Sequence, residues 1–383
     1  LTTPALSVHH VGLYKTYTGA LMSTTDLFSP LSLFGASLKN RFVLAPLTRG
    51  RAGESRVPNS IMGDYYEQRA TAGLVITEAT VISQEGIGWV DSPGIYNQDM
   101  VDGWKAIVDR VHAKGSKIVL QLWHCGRASH SDFHNGEKPF SASAIKIEND
   151  QIHTPKGKKD YEVPRAMSKE DIARTVADFK KAAQNAKAAG FDGVEVHAAN
   201  GYLLNQFLDG ESNQRDDEYG GSIENRMRFL IESLEAVKEV YPSDAIGVRL
   251  SPNGVFNTMG SDDYRALYTA VAKELNAHKL GYVHIMDGLA FGFHERGEPM
   301  TLADFRPLFD GAIIGNCGYT YDTATKAVSS QQADMIAFGR PYITNPDLPE
   351  RYKNDWPLAA YDDPEKWYGG GAKGYSDYPS YKA

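Results

Sequence analysis

Cysteine is almost missing from this chain. Cys125 and Cys317 are the only two in 383 residues, with no C-x-x-C pair and no zinc-type spacing. A disulfide-stapled framework is thereby excluded, and a reducing compartment is the expectation. No Asn-x-Ser/Thr acceptor occurs, and no run of about 18 apolar residues that would span a bilayer. Positive charge is also in deficit. Lys and Arg number 40 against 48 Asp and Glu, a net charge of −8. That sign repels phosphate backbones and argues against nucleic-acid binding, while leaving room for a local basic pocket around one small phosphate. Residues 1–21 show no periodicity, and Met22 reads as a possible natural start. We therefore set residues 1–25 apart as a leader, a processed targeting remnant or a cloning scar. A cytoplasmic location is expected, or an organellar one if residues 1–21 are a targeting remnant.

What is present is a regular alternation. Eight short apolar, β-branched runs cover residues 41–48, 74–83, 117–124, 193–199, 245–252, 282–288, 312–318 and 335–341. Nearly continuous apolar runs suit parallel strands buried on both faces. Helical patterns lie between most of them. Ser168 caps one helix, with Ile172, Val176, Phe179 and Ala183 on its apolar face and Gly190 at its end. Ser222 opens a second and Ser261-Asp-Asp263 a third. Eight βα units predict a single α/β (β/α)8 TIM barrel over residues 26–383. A doubly wound sheet is the alternative, but Arg49-Gly-Arg-Ala-Gly53 after the first run is no phosphate-binding glycine turn. Residues 125–167, after the third strand, are polar and turn-rich and read as a capping insertion. The tail from Asn345 is read as irregular chain packed on the barrel.

A barrel carries its active site at the C-terminal ends of its strands. Here those ends offer Thr48, Glu78, Ala79, Gln121, Trp123, His124, His197, Asn200, Arg249, Asp287, Asn316, Gly339 and Arg340. No lysine stands among them for a Schiff base. His124 and His197 have no metal-binding partner by spacing. Glu78 and Asp287 have none for glycoside hydrolysis. Gly369, Gly371 and Gly374 match G-x-G-x-x-G, but with no strand before and no helix after. What remains is a ring of planar amide, hydroxyl and guanidinium groups, Thr48, Gln121 and Arg249. Beside it lie glycine-containing turns, Gly315-Asn316 and Gly339-Arg340, after strands seven and eight. Such turns form the usual barrel phosphate site. Ring contacts beside a phosphate cup suggest a mononucleotide, and FMN fits best. In the fourth strand, His197 and Asn200 stand three apart and present two donors to one acceptor oxygen. Tyr202 follows, where its hydroxyl can deliver a proton.

The chain also carries Ala45-Pro-Leu-Thr-Arg49, Tyr66-x-Gln-Arg-Ala70, Gly73-Leu-Val-Ile-Thr-Glu78, Gln121-Leu-Trp-His-x-Gly-Arg127 and His197-x-x-Asn-Gly-Tyr202. Asn213-x-Arg-x-Asp-x-Tyr-Gly-Gly-Ser222, Glu224-Asn-Arg226, Phe338-Gly-Arg340, Asn345-Pro-Asp-Leu348 and Gly374-Tyr-x-Asp-Tyr-Pro379 complete the set. From about residue 26 onward it resembles the old yellow enzyme family of FMN-dependent ene-reductases, which includes the plant 12-oxophytodienoate reductases. The resemblance implies that Ala45, Pro46, Leu47, Thr48, Ala79, Gln121, Arg249, Gly315, Asn316, Gly339 and Arg340 contact FMN. It implies that His197 and Asn200 bind a substrate carbonyl, that Tyr202 is the proton donor, and that Trp123 and the Trp367-Tyr368 pair shape the substrate pocket. Trp367 stands where many members have Phe. NADPH would reduce the flavin and an α,β-unsaturated carbonyl compound would reoxidise it. A monomer or homodimer is expected, with no membrane partner.

Overall fold

The computed structural model describes residues 25–288, 294–361 and 363–382, so nearly all of the expected leader lies outside the described residues. Eight parallel strands form its centre: β1 (Phe42–Leu44), β2 (Leu74–Ile76), β3 (Lys117–Trp123), β4 (Gly193–His197), β5 (Ile246–Leu250), β6 (Tyr282–Met286), β7 (Ala312–Asn316) and β8 (Met335–Phe338). Each pairs with its successor, and β8 returns to β1 through Phe338 opposite Leu44. The ring is closed, which disposes of the open doubly wound sheet. Around it run α1 (Ser60–Arg69), α2 (Gln98–Ala113), α3 (Lys169–Ala189), α4 (Ile223–Lys238), α5 (Tyr264–Ala277), α6 (Leu302–Phe305), α7 (Tyr321–Ser329) and α8 (Leu348–Lys353). No helix among the described residues is long and apolar enough to cross a membrane.

Local chemistry explains the helices. Ser168 caps α3 with its side chain on the Asp171 amide, Asp171 answers with a bond to the Ser168 amide, and Gly190 ends the helix left-handed at φ 92°. Ile172, Phe179 and Ala183 face inward as the spacing predicts. Ser222 caps α4 through the Asn225 amide. Within Ser261-Asp-Asp263 it is Asp263, not Ser261, that stands at the N-cap of α5; the Ser261 hydroxyl bonds the Asp263 carboxylate at 2.5 Å, and the helix starts at Tyr264.

Two expectations need correction. The strand runs at residues 41–48 and 74–83 are too long. β1 and β2 are three residues each, because the chain then peels away into site loops; Thr80–Val81 rejoins the ring separately beside β3. The tail is not wholly irregular, since α8 and a 3-10 turn at Pro364–Lys366 lie within it. Below the barrel, the hairpin Leu31–Leu33/Ala36–Leu38 places Leu33 and Leu38 against Val43, Leu74 and Ile314, closing that end with apolar contacts. Residues 125–167 contain a second hairpin, Gln151–Thr154/Gly157–Asp160. Its Ile152 packs in one cluster with Trp123, Cys125 and Tyr202 above the strand ends.

Buried arginines fasten the tail. Arg49 Nε and Arg51 Nη1 both donate to the Trp367 carbonyl, at 2.8 and 2.7 Å, and Arg51 Nη2 donates to that of Lys366. Tyr375 stacks on Tyr65 at 4.3 Å, under the Arg49 and Arg51 guanidinium groups. A hydrogen bond from a charged donor contributes about 1.5–3 kcal/mol. Arg51→Met is therefore expected to speed amide exchange in residues 366–370 by roughly ten- to a hundredfold, with α3 unchanged. Exchange that stayed at the wild-type rate in the tail would remove Arg51 from this role.

Candidate active site

Above the C-terminal strand ends lies a cavity of about 460 Å³. Eleven of the seventeen residues expected at the site line it: Ala45, Leu47, Thr48, Asn200, Tyr202, Arg249, Asn316, Gly339, Arg340, Trp367 and Tyr368. The Arg340 guanidinium lies 5.3 Å from the Trp367 ring. Pro46, Ala79, Gln121, Trp123, His197 and Gly315 are not on its wall. Four of them pack against residues that do line it. Trp123 and His197 meet the Tyr202 ring at 4.9 and 5.2 Å between centroids. Ala79 shares the cluster of Trp123 and Tyr202. Gly315 leaves space that the Tyr319 hydroxyl fills, and Tyr319 is on the wall.

The turn after β4 presents the most specific geometry. Asn200 adopts a left-handed backbone, φ 58°, which asparagine tolerates better than most residues. Its N–H donates to Ser251 Oγ and its carbonyl accepts from Asn257 Nδ2, both at 2.9 Å. Gly201 follows at φ 71°, where a Cβ would sit 2.6 Å from that of Asn257. The chain thus reverses tightly, and Tyr202 becomes the N-cap of the short helix Leu203–Leu208. Asn200 and Tyr202 are held on the cavity wall, with the His197 ring against that of Tyr202, by backbone constraints rather than by hydrogen bonds between their own side chains.

Electrostatics fix their protonation. Burial, with the charge of Arg249 and the proximity of His284, drives His197 well below its ordinary pKa, so its imidazole is neutral. His197 Nδ1 is buried without a hydrogen-bond partner. Burial pushes the Tyr202 phenol well above its usual value, so it keeps its proton. Arg249 Nη2 donates to Asn316 Oδ1 at 2.8 Å, and Asn316 Nδ2 donates to the Ala337 carbonyl. Arg249 Nε is buried with no partner. On the far side, the turn after β7 runs through two left-handed residues, Cys317 at φ 85° and Gly318 at φ 82°. It lines the cavity together with Gly339 and Arg340 at the end of the neighbouring β8.

Several strand-end candidates have structural roles. Glu78 is buried, and its Oε2 accepts from the Arg49 and Gly50 amides at 3.0 Å, shaping the loop after Thr48. His124 Nδ1 accepts from the Gly126 amide, and burial lowers its pKa to about 3. Asp287 accepts from the Tyr319 hydroxyl at 2.7 Å, and burial raises its pKa to about 6. The glycines at 369–374 form turns in the tail.

The sequence reading missed Glu195 and His284, both fully buried on the inner face of the barrel. Strand alternation carried the signal. Counting back two from His197 and from Met286 lands on each of them.

The sequence profile of the NADH:flavin oxidoreductase / NADH oxidase family matches residues 26–359. The chain belongs to that family. A putative 12-oxophytodienoate reductase 11 of Oryza sativa subsp. japonica is 39% identical over 94% of this chain and 98% of its own length. A probable flavin mononucleotide-dependent alkene reductase of Leishmania infantum is 41% identical, with 94% and 99% covered. Among solved structures, the old yellow enzyme homologue of Zymomonas mobilis superposes with a TM-score of 0.89 at 42% identity, over 93% of this chain and 99% of that one. Morphinone reductase in complex with tetrahydroNAD superposes with 0.87 at 42% identity, over 94% and 98%. The old yellow enzyme resemblance and its barrel fold therefore stand, and the chain is a member of a flavin oxidoreductase family.

Proposed function

We propose that this chain reduces the C=C bond of α,β-unsaturated carbonyl compounds with hydride drawn from NADPH, and that His197, Asn200 and Tyr202 are its catalytic residues. The observation that carries this reading is the Nδ1 of His197. It is a buried, partnerless polar atom on a ring that packs against the protonated phenol ring of Tyr202, and Tyr202 and Asn200 both line the cavity. A polar atom left unpaired in a folded interior costs about 1–3 kcal/mol, so its retention points to a ligand.

The residues present fit FMN. Arg249 offers an unpaired buried Nε, Asn316 holds that guanidinium in place, and Thr48, Ala45 and Leu47 line the same wall. Arg340 and the turns at 316–318 and 339–340 supply the cationic and backbone donors that a phosphate requires. Ala79, Gln121, Pro46 and Gly315 complete the proposed contacts. When bound, FMN supplies hydride transfer from the nicotinamide to the β-carbon of the alkene. His197 and Asn200 donate to the carbonyl oxygen and stabilise the charge that develops there. Tyr202 gives its proton to the α-carbon. Trp367 and Tyr368 border the space left for the substrate, and Trp123 shapes it from behind through the Tyr202 ring.

Purified protein should be yellow and release FMN, not FAD, on heating, because one phosphate cup serves one phosphate. Cyclohexenone should reoxidise the NADPH-reduced protein. A folded colourless protein, or FAD on chromatography, would sink the proposal. Comparing flavin bleaching rates with NADPH and NADH decides the reductant.

A further inference from the structure

Glu195 is a carboxylate at zero exposure inside the barrel, two residues below His197, and nothing in the proposed reaction uses it. Ionised groups in such places are costly unless their bonding is complete. Here it is. Glu195 Oε1 accepts from Gln121 Nε2 at 2.7 Å, and Oε2 takes the Nδ1–H of His284 at 2.9 Å. Strand register explains the first contact, since Glu195 on β4 lies directly beside Gln121 on β3; the second reaches past β5, where Arg249 lies beside His284 on β6.

The chemistry of these partners is one-directional. A carboxylate only accepts, so the group of Gln121 against it must be the NH2. Gln121 Oε1 therefore points away from Glu195, and it accepts no hydrogen bond from any described residue. The oxidised isoalloxazine ring carries a single N–H donor, at N3, and an amide oxygen held by its own nitrogen is the acceptor it needs. Burial opposes the ionisation of Glu195, but His284 and the charge of Arg249 outweigh it and hold the carboxyl below its usual range. Burial also keeps His284 below its ordinary pKa in spite of Glu195. The result is a full negative charge whose two direct partners, Gln121 and a neutral His284, are uncharged donors.

We propose that Glu195 is a positioning residue: it locks the Gln121 amide with its oxygen toward the flavin ring and sets the electrostatic potential beneath that ring. The proposal rests on the reading that FMN occupies the cavity. A negative charge near the ring resists the electrons that reduction adds, so Glu195 holds the flavin potential down while Arg249 holds it up.

The test uses the full-length holoprotein. Glu195→Gln keeps the size and both hydrogen-bond positions but removes the charge, and it lets Gln121 turn either way. At roughly 10 Å and an effective dielectric near 20, the lost repulsion shifts the reduction equilibrium about tenfold. That is about 30 mV more positive for a two-electron couple. A merely structural role would leave the potential where it is. An unchanged or more negative potential in a variant that retains FMN overturns the proposal. Should Glu195→Gln not fold, wild-type protein gives the answer by flavin exchange. N3-methyl-FMN, which has no N–H for Gln121 Oε1, is expected to bind at least about tenfold more weakly than FMN, and equal binding overturns the proposal. Wild-type protein that takes up no flavin would instead sink the functional reading on which this one depends.

Discussion

Tyr202→Phe is expected to slow enone reduction by roughly 10²–10⁴-fold, the range a positioned general acid contributes, while flavin reduction by NADPH stays near its wild-type rate. The ring itself packs edge-on against Trp123 and His197, and Phe preserves both contacts. Only the hydroxyl is lost, so the fold should be untouched. Stopped-flow measurement of the two half-reactions separates them, since the proton is needed in only one. Nitroalkenes sharpen the test, because their nitronate product can leave without a protein acid and should still reoxidise the variant at close to the normal rate. The pH profile follows from the same burial. Tyr202 is pushed far above 10 and His197 far below 6.5, so neither changes charge between about pH 6 and 9. Enone reoxidation should be flat across that window. A fall in flavin reduction as large as the fall in enone reduction would make Tyr202 structural.

The second large effect belongs to the carbonyl donors, and His197 is the cleaner position. Asn200 sits at φ 58°, so an alanine there would add backbone strain to the loss of the amide. His197→Leu has no such confusion. His197 Nδ1 has no protein partner, and replacing an unsatisfied buried polar group with an apolar one of similar size leaves stability the same or higher. The melting temperature should hold while enone turnover drops by about 10²–10³-fold, the usual loss for one donor aimed at a developing oxyanion. NADPH-driven flavin reduction should fall less. Enone turnover within a few-fold of wild type in His197→Leu would mean that the substrate oxygen is held elsewhere.

Much of this architecture was legible because it is written in local patterns. The eight apolar runs each contain a barrel strand, since strands buried on both faces must be apolar in nearly every position. The Ser168 and Ser222 caps sit where the pattern places them, because capping satisfies amides within three residues. Within Ser261-Asp-Asp263 the N-cap falls on Asp263, since the Ser261 hydroxyl is engaged by the Asp263 carboxylate, a partner that competes with the backbone. The long strand readings at 41–48 and 74–83 failed because apolar sequence continues into loops that are buried by the site and the tail.

The sequence by itself determined the number and order of βα units, the strand-end positions from which chemistry is built, and the His197, Asn200 and Tyr202 spacing. These depend on residues near one another in the chain or on the alternation of a strand. The tertiary structure alone decided which of those side chains face one cavity, that Glu78 serves the loop after Thr48 rather than a reaction, and that Arg49 and Arg51 hold the turn carrying Trp367. It also brought Glu195 to Gln121 and His284, 74 and 89 residues away. Barrel closure is the reason. A side chain on one strand finds its partners on the next strand or on one beyond it across the interior, at a level set by register and tilt, and no local pattern in the chain encodes that level.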